Sequence, residues 1–294
     1  MAKQPMDEAF SRGAGGDWRA PGGQALHTSP GRPVTGLTTK GTPRKRKPYR
    51  TRRDKGRFKL STRDRWGMRF VADQHAVRED QLPQMFGLFH YLQALQQYKQ
   101  QQAEGKAPPE PPTFAPLTLA ATRSIIQRWV IHGYAVTDQP HKTDPVWLAL
   151  TAKGMVEMNL PYEPGLSPRD DLLEDRHIYT VNQVRLKLMK TKTYSSYVWW
   201  SERAILANRE EGASGVAYDH TPDAVLYLDG VKQIAVEIEI TQKSDKRYDK
   251  ILMGLMTDYP QVLYCVTDRL YNVLEAARSR LSTSQQQRLE ILKL

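Results

Sequence analysis

Residues 236–243 read VEIEITQK, and residues 220–230, a short way upstream, read HTPDAVLYLDG. Side chains alternate between the two faces of a strand, so each stretch sorts into two sets. Ala224, Leu226 and Leu228 share one face with Ile234, Val236, Ile238 and Ile240, which is the expected core face. The opposite face carries Asp223, Glu237 and Glu239. Carboxylates set into a run of valine and isoleucine need a cationic partner, because a buried, unpaired charge is costly.

Register decides whether these three groups meet. A two-residue Asp229-Gly230 turn would pair Leu228 with Val231 and mix the carboxylates into the aliphatic layer. A three-residue loop, Asp229-Gly230-Val231, shifts the pairing by one and sets Asp223 opposite Glu237, roughly 5 Å apart at Cβ. Like charges so placed repel unless something cationic lies between them. Three clustered carboxylates suit a hard divalent ion, Mg²⁺ or Mn²⁺, with oxygen ligands. The plainer alternative makes Glu237 and Glu239 ion-pair partners of Lys243, Lys246 or Arg247.

Working outward, the hairpin sits in an alternation of helix and strand. RHIYTVNQVRLKLMK and WWSERAILANREEG read as helices, followed by the hairpin and a basic helix at about 243–257. QVLYCVTD reads as a strand and RLYNVLEAARSRL as a helix, giving an α/β domain over 173–294. His220 reads as a turn residue and His177 as a helix-surface or packing residue. Trp199 and Trp200 are expected to be core and rim. Cys265, the single cysteine, excludes a disulfide framework and reads as a small core hydrophobe.

Residues 161–172 contain the proline-bearing PYEPGLSPRD and read as a linker. Upstream of it, LSTRDRWGMRFVADQHAV opens with Ser61 and has Asp64 three residues on, a capping-box variant at a helix start. REDQLPQMFG is expected as a short helix ending at Gly87, and 88–116 as an insertion with a glutamine-rich helical stretch and a proline-rich loop. Ile125, Ile126, Trp129 and Val130 give TLAATRSIIQRWVIHGY a helical apolar stripe ending near Gly133. Two short strands, YAVTD and VWLAL, and a helix, TAKGMVEMNL, follow.

The stretch RWVIHGYAV…LALTAKGMVEM resembles the third helix, wing and closing helix of a winged helix-turn-helix. That resemblance implies a DNA-binding domain over 59–160, with the third helix in the major groove. Arg123, Gln127 and Arg128 would then face DNA, with His141 and Lys142 at the wing tip.

The chain of 294 residues has a net charge of +11, and it is unevenly spread. Lys40 to Lys59 holds eleven basic residues against Asp54 alone, a charge of +10. Arg44, Lys45, Arg46, Lys47, Arg50, Arg52 and Arg53 lie among proline, glycine and threonine, so residues 1–58 are predicted to be a disordered basic arm. A polyanion is its natural partner, because each neutralised phosphate releases condensed counterions. No apolar run approaches membrane-spanning length and the N-terminus lacks an apolar signal core, so the expected setting is cytoplasmic, with no membrane partner.

Pro222-Asp223 followed by Glu237-Ile238-Glu239 resembles the PD-(D/E)XK nuclease core, in which the aspartate and the first acidic residue hold the metal. Glu202 in WWSER matches the extra helical carboxylate that many members supply. The lysine expected two residues after the first acidic residue is Glu239 here, as in some nucleases of that superfamily. Lys243 stands nearby as a replacement cation, and Arg247 and Lys250 continue its helix face toward phosphate. His220, Pro222 to Ala224, Glu237, Glu239, Lys243 and Tyr248 also resemble the H…PDA…ExE…K…Y pattern of the replication-relaxation family of plasmids and mobile elements.

These resemblances imply an α+β protein of two domains that binds double-stranded DNA and cuts or nicks it with Mg²⁺ or Mn²⁺. Asp223, Glu237 and Glu202 would be the metal ligands, with Glu239 and Lys243 completing the catalytic set. The second reading is a non-catalytic DNA-binding accessory protein that recruits replication or mobilisation partners and keeps the nuclease fold as a scaffold.

Overall fold

Ser61 opens the first helix, as the capping-box reading predicts. Its hydroxyl accepts the Asp64 N–H at 3.1 Å, and the Asp64 carboxylate accepts the Ser61 N–H at 3.0 Å. This reciprocal cap opens α1 (Thr62–Asp73). The computed structural model describes residues 59–106, 110–139, 145–161, 172–208 and 220–294. The basic arm, His141 and Lys142, and most of the expected linker lie outside the described residues.

After α1 come β1 (Ala76–Arg78), a 3-10 turn at Glu79–Gln81, and α2 (Leu82–Ala103). Helix α2 does not stop at Gly87 as expected. It runs on through the glutamine-rich stretch, and Gly87 serves close approach: a Cβ there would lie 2.3 Å from the Ala115 carbonyl oxygen. Thr118 caps α3 (Leu119–Ile131), and Gly133, at φ 71°, turns the chain out of it. β2 (Ala135–Asp138), β3 (Trp147–Leu150) and α4 (Ala152–Glu157) follow. The three strands form an antiparallel sheet in the order β1-β3-β2; β1 had no clear sequence signal.

The second half runs α5 (Leu172–Leu188), β4 (Val198–Ser201), α6 (Glu202–Ala207), β5 (Ala224–Leu228) and β6 (Val231–Glu239). Then come α7 (Asp245–Asp258), β7 (Gln261–Val266), α8 (Asp268–Ser279), α9 (Thr283–Gln286) and β8 (Leu289–Lys293). Val198–Ser201 is a strand, where a helix was expected, because Trp199 buries itself against the core while Trp200 stacks on Tyr227, with ring centroids 4.8 Å apart. The five-stranded mixed sheet has the order β4-β5-β6-β7-β8. β4, β5 and β6 are antiparallel, and β6, β7 and β8 are parallel.

The hairpin combines both register options. Asp229 (φ 50°) and Gly230 (φ 78°) make a two-residue turn that pairs Leu228 with Val231. A bulge between Leu226 and Tyr227 then leaves Gln233 extra on β6, so that Leu226 pairs with Ile234 and Ala224 with Val236. The expected three-residue loop is therefore replaced by a tighter turn plus a bulge. The outcome is the same: continuing by one pair sets Asp223 opposite Glu237.

Ala224, Leu226, Ile234, Val236, Ile238, Cys265 and other residues of one sheet face belong to a core that also contains Met68, Phe70, Phe86, Trp129 and Leu148. The opposite face, with Val225, Ala235 and Tyr264, packs on α7 and α8. The α1–α4 portion and the large sheet thus share one apolar interior, and Gly56–Leu294 form a single unit. Helix α5 fastens them. Arg185 reaches Asp73 at 3.1 Å and lies over the Phe70 ring, and Asn182 donates to the Ala76 carbonyl at 3.0 Å.

Candidate functional site

The carboxylates of Asp223, Glu237 and Glu239 line the end of the β5–β6 ladder. Asp223 is bonded twice: Oδ2 accepts the Ile238 N–H at 2.7 Å, and Oδ1 lies 2.8 Å from His177 Nε2 on α5. Glu237 is 3% exposed; its Oε1 lies 2.8 Å from His220 Nε2, and its Oε2 is buried without a hydrogen-bond partner. Glu239 is 2% exposed; it accepts the Thr241 N–H at 3.2 Å and pairs with Lys243. Tyr264 stands beside Glu237 on the neighbouring parallel strand, and its buried hydroxyl also has no partner.

Electrostatics follow from this packing. Burial and then the adjacent Asp223 charge push the Glu237 carboxyl up to about 7, against the opposing pull of His220 and Lys243. Burial alone would lower both histidines, but their hydrogen bonds to Asp223 and Glu237 and the surrounding carboxylates raise them. Burial, followed by the charges of Glu237 and Glu239, pushes the Tyr264 phenol upward. His177, expected as a helix-surface or packing residue, and His220, expected as a turn residue, each also bond a carboxylate of the cluster. The signal for His220 was its spacing, three residues ahead of Asp223; nothing in the sequence pointed to His177.

Glu202 opens α6, and its N–H donates to the Asp223 carbonyl at 3.0 Å. Its side chain borders the same cleft as Asp223 and His177. Lys243 is committed to Glu239, and its own N–H donates to the buried Tyr248 hydroxyl at 3.2 Å. Arg247 and Lys250 lie exposed on α7. Among the described residues no three His, Cys, Asp or Glu side chains converge closely enough to cage an ion by themselves. Mg²⁺ needs less: one or two carboxylates, the remaining positions going to water and substrate phosphate. Glu237 Oε2 is the carboxylate oxygen of this cluster that is buried without a hydrogen-bond partner, the kind of donor such a cation takes.

On α3, Gln127 is exposed, Arg123 pairs with Glu79 at 2.7 Å, and Arg128 reaches the buried Asp64 at 3.2 Å. Asp64 also accepts the Trp129 indole N–H at 3.1 Å. These bonds and its cap outweigh the burial that works to raise it and hold its carboxyl below the usual range. A cavity of about 320 Å³, lined by Leu82, Thr122, Ile126 and Trp147 among others, lies between α3 and the β2–β3 hairpin. No helix among the described residues is long and apolar enough to cross a membrane. Comparison with protein-family models, curated proteins and solved structures finds no match to this chain.

Proposed function

We propose that this chain binds DNA through its basic arm and winged-helix half and hydrolyses phosphodiester bonds at Asp223 and Glu237 with Mg²⁺ or Mn²⁺. The observation that carries the reading is the cross-strand Asp223–Glu237 pair with a buried, unmatched Glu237 oxygen. The antiparallel β4-β5-β6 order, the parallel return to β7 through α7, and Asp223 at the head of β5 support a PD-(D/E)XK core. The α1-β1-α2-α3-β2-β3-α4 order supports a winged helix-turn-helix. The pattern from His220 to Tyr248 resembles the replication-relaxation family, which points to DNA of a plasmid or mobile element and to replication or mobilisation partners.

A divalent cation bound there acidifies its water and offsets the charge of the pentavalent phosphate. Asp223, Glu237 and Glu202 are the residues that would hold the cation. In the hydrolysis, water oxygen would join phosphorus and give one proton to solvent, one P–O ester bond would break, and the leaving alkoxide would take a proton. His177, whose Nε2 lies 2.8 Å from Asp223 at the cleft, is the group that would supply it.

A second reading is favoured by one observation: each carboxylate already has a cationic neighbour in His177, His220 or Lys243. In that reading the chain binds DNA and the nuclease fold is a scaffold. Supercoiled plasmid incubated with Mg²⁺ or Mn²⁺ separates the two. Relaxed or linear product that disappears with Asp223→Ala supports hydrolysis. DNA retarded but intact with both proteins leaves the scaffold.

A further inference from the structure

The cavity of about 320 Å³ between α3 and the β2–β3 hairpin plays no part in the proposed hydrolysis. Its volume lies at the small end of the range for small-molecule sites, roughly 300–1,000 Å³. The walls are Leu82 of α2, Ile126 and Val130 of α3, and Val146, Trp147 and Leu148 at β3. Leu82, Ile126, Trp147 and Leu148 are buried side chains, so the core fixes the shape of the cavity before anything enters it.

One part of the lining is charged. Arg123 stands on the same α3 face as Val130, two turns away, and its Nε meets Glu79 Oε1 at 2.7 Å; both residues line the cavity. Glu79 is anchored by its own N–H, which donates to the Val146 carbonyl at 2.8 Å. The pair uses one guanidinium nitrogen and one carboxylate oxygen. The Arg123 terminal nitrogens and Glu79 Oε2 have no hydrogen-bond partner among the described residues. The two side chains are 63% and 31% exposed, so both are open to an incoming group. A simple apolar acid would set its carboxylate against Glu79 as well as Arg123, and a simple amine would set its ammonium against Arg123 as well as Glu79. A molecule with both charges on adjoining groups meets each with its opposite.

We infer that this cavity binds a free α-amino acid with an apolar side chain. Its carboxylate takes the Arg123 terminal nitrogens, its ammonium takes Glu79 Oε2, and its side chain lies among Ile126, Val130 and Trp147. The inference is independent of the hydrolytic reading, because no residue of the Asp223 cluster lines the cavity.

The test is isothermal titration calorimetry of the full chain with L-leucine and L-phenylalanine. The comparators each lack one charge: 4-methylpentanoate and 3-methylbutylamine for leucine, 3-phenylpropionate and phenethylamine for phenylalanine. At least one amino acid should bind saturably at one site, with a Kd of about 0.01–1 mM. Its acid and amine should each bind about tenfold more weakly or worse. Arg123→Met and Glu79→Gln should each weaken the amino acid about tenfold and leave the melting temperature of the unliganded protein unchanged, because an exposed ion pair contributes little stability. Val130→Trp, which fills the cavity from a partly exposed position, should abolish binding. Saturable binding that needs both charges and responds to all three substitutions supports the site. The inference is overturned by absence of binding of both amino acids at about 10 mM, by an acid or amine that binds as tightly as its amino acid, or by binding indifferent to any of the three substitutions.

Discussion

The Asp223 carboxylate accepts the Ile238 N–H across the β5–β6 ladder at 2.7 Å while its other oxygen meets His177 at 2.8 Å. One side chain thus satisfies sheet backbone and tethers α5 to the sheet end. Asp223→Ala leaves the Ile238 N–H without that acceptor and should cost about 1–3 kcal/mol in urea denaturation. Asp223→Asn keeps an acceptor oxygen and should cost less than half as much, yet lose cation-dependent stabilisation entirely. Equal destabilisation by both variants would show that the backbone bond matters little.

Glu237 gives the sheet end a pH dependence. Its folded carboxyl titrates near 7, above an ordinary glutamate, so the folded state holds that proton more tightly than the unfolded chain. His177 and His220 are raised too, so their contribution is likewise present at low pH and lost as pH rises through their folded values. All three act in one direction. Stability should fall between pH 5 and pH 8 by an amount on the order of 2 kcal/mol, and Glu237→Gln should flatten the slope. Melting temperatures that stay level over this range would contradict the assignment.

A cation held at Asp223 and Glu237 would compete with those protons. Mn²⁺ should therefore raise the melting temperature at pH 8 and much less at pH 6, because ligation requires deprotonated carboxylates. Asp223→Asn should abolish the rise at both pH values. An equal rise in wild type and variant would place the ion elsewhere.

Much of this site was legible in the sequence because strand parity is strict. Glu237 and Glu239 sort to one face of their strand whatever the loop does, whereas Asp223 joins them only in the register that the turn and bulge together produce. The bulge at Gln233 was not legible, since one extra residue can be absorbed by a loop or by a strand with the same downstream register. Gly87 misled because a glycine ends helices by local conformation but also permits close packing, and only the approach of Ala115 tells which. His177 was invisible for a related reason: it gains its partner, Asp223, from far along the chain.

Asp64 shows the same long-range logic in the α1–α4 half. It caps α1, accepts the Trp129 indole N–H and meets Arg128, all while 1% exposed. Asp64→Ala removes a cap and leaves a buried indole donor unmatched, so it should cost about 3 kcal/mol. Arg128→Ala removes only the half-exposed partner and should cost under about 1 kcal/mol. If Arg128→Ala nevertheless weakens duplex binding while stability holds, the α3 face contacts DNA; if binding is unchanged, Arg128 serves the Asp64 network alone.

Arg44, Lys45, Arg46 and Lys47 carry the densest charge in the chain. Phosphate contacts are sequence-blind and each contributes roughly 0.9 to the slope of log affinity against log salt. Replacing the four with alanine should therefore weaken binding to unrelated duplexes by similar factors and reduce that slope by about 3 to 4. Anisotropy titrations across a salt series read both quantities. A slope unchanged by the substitutions would mean that the arm does not touch the backbone, and that the α3 face and α7, with Arg247 and Lys250, carry the electrostatic affinity instead.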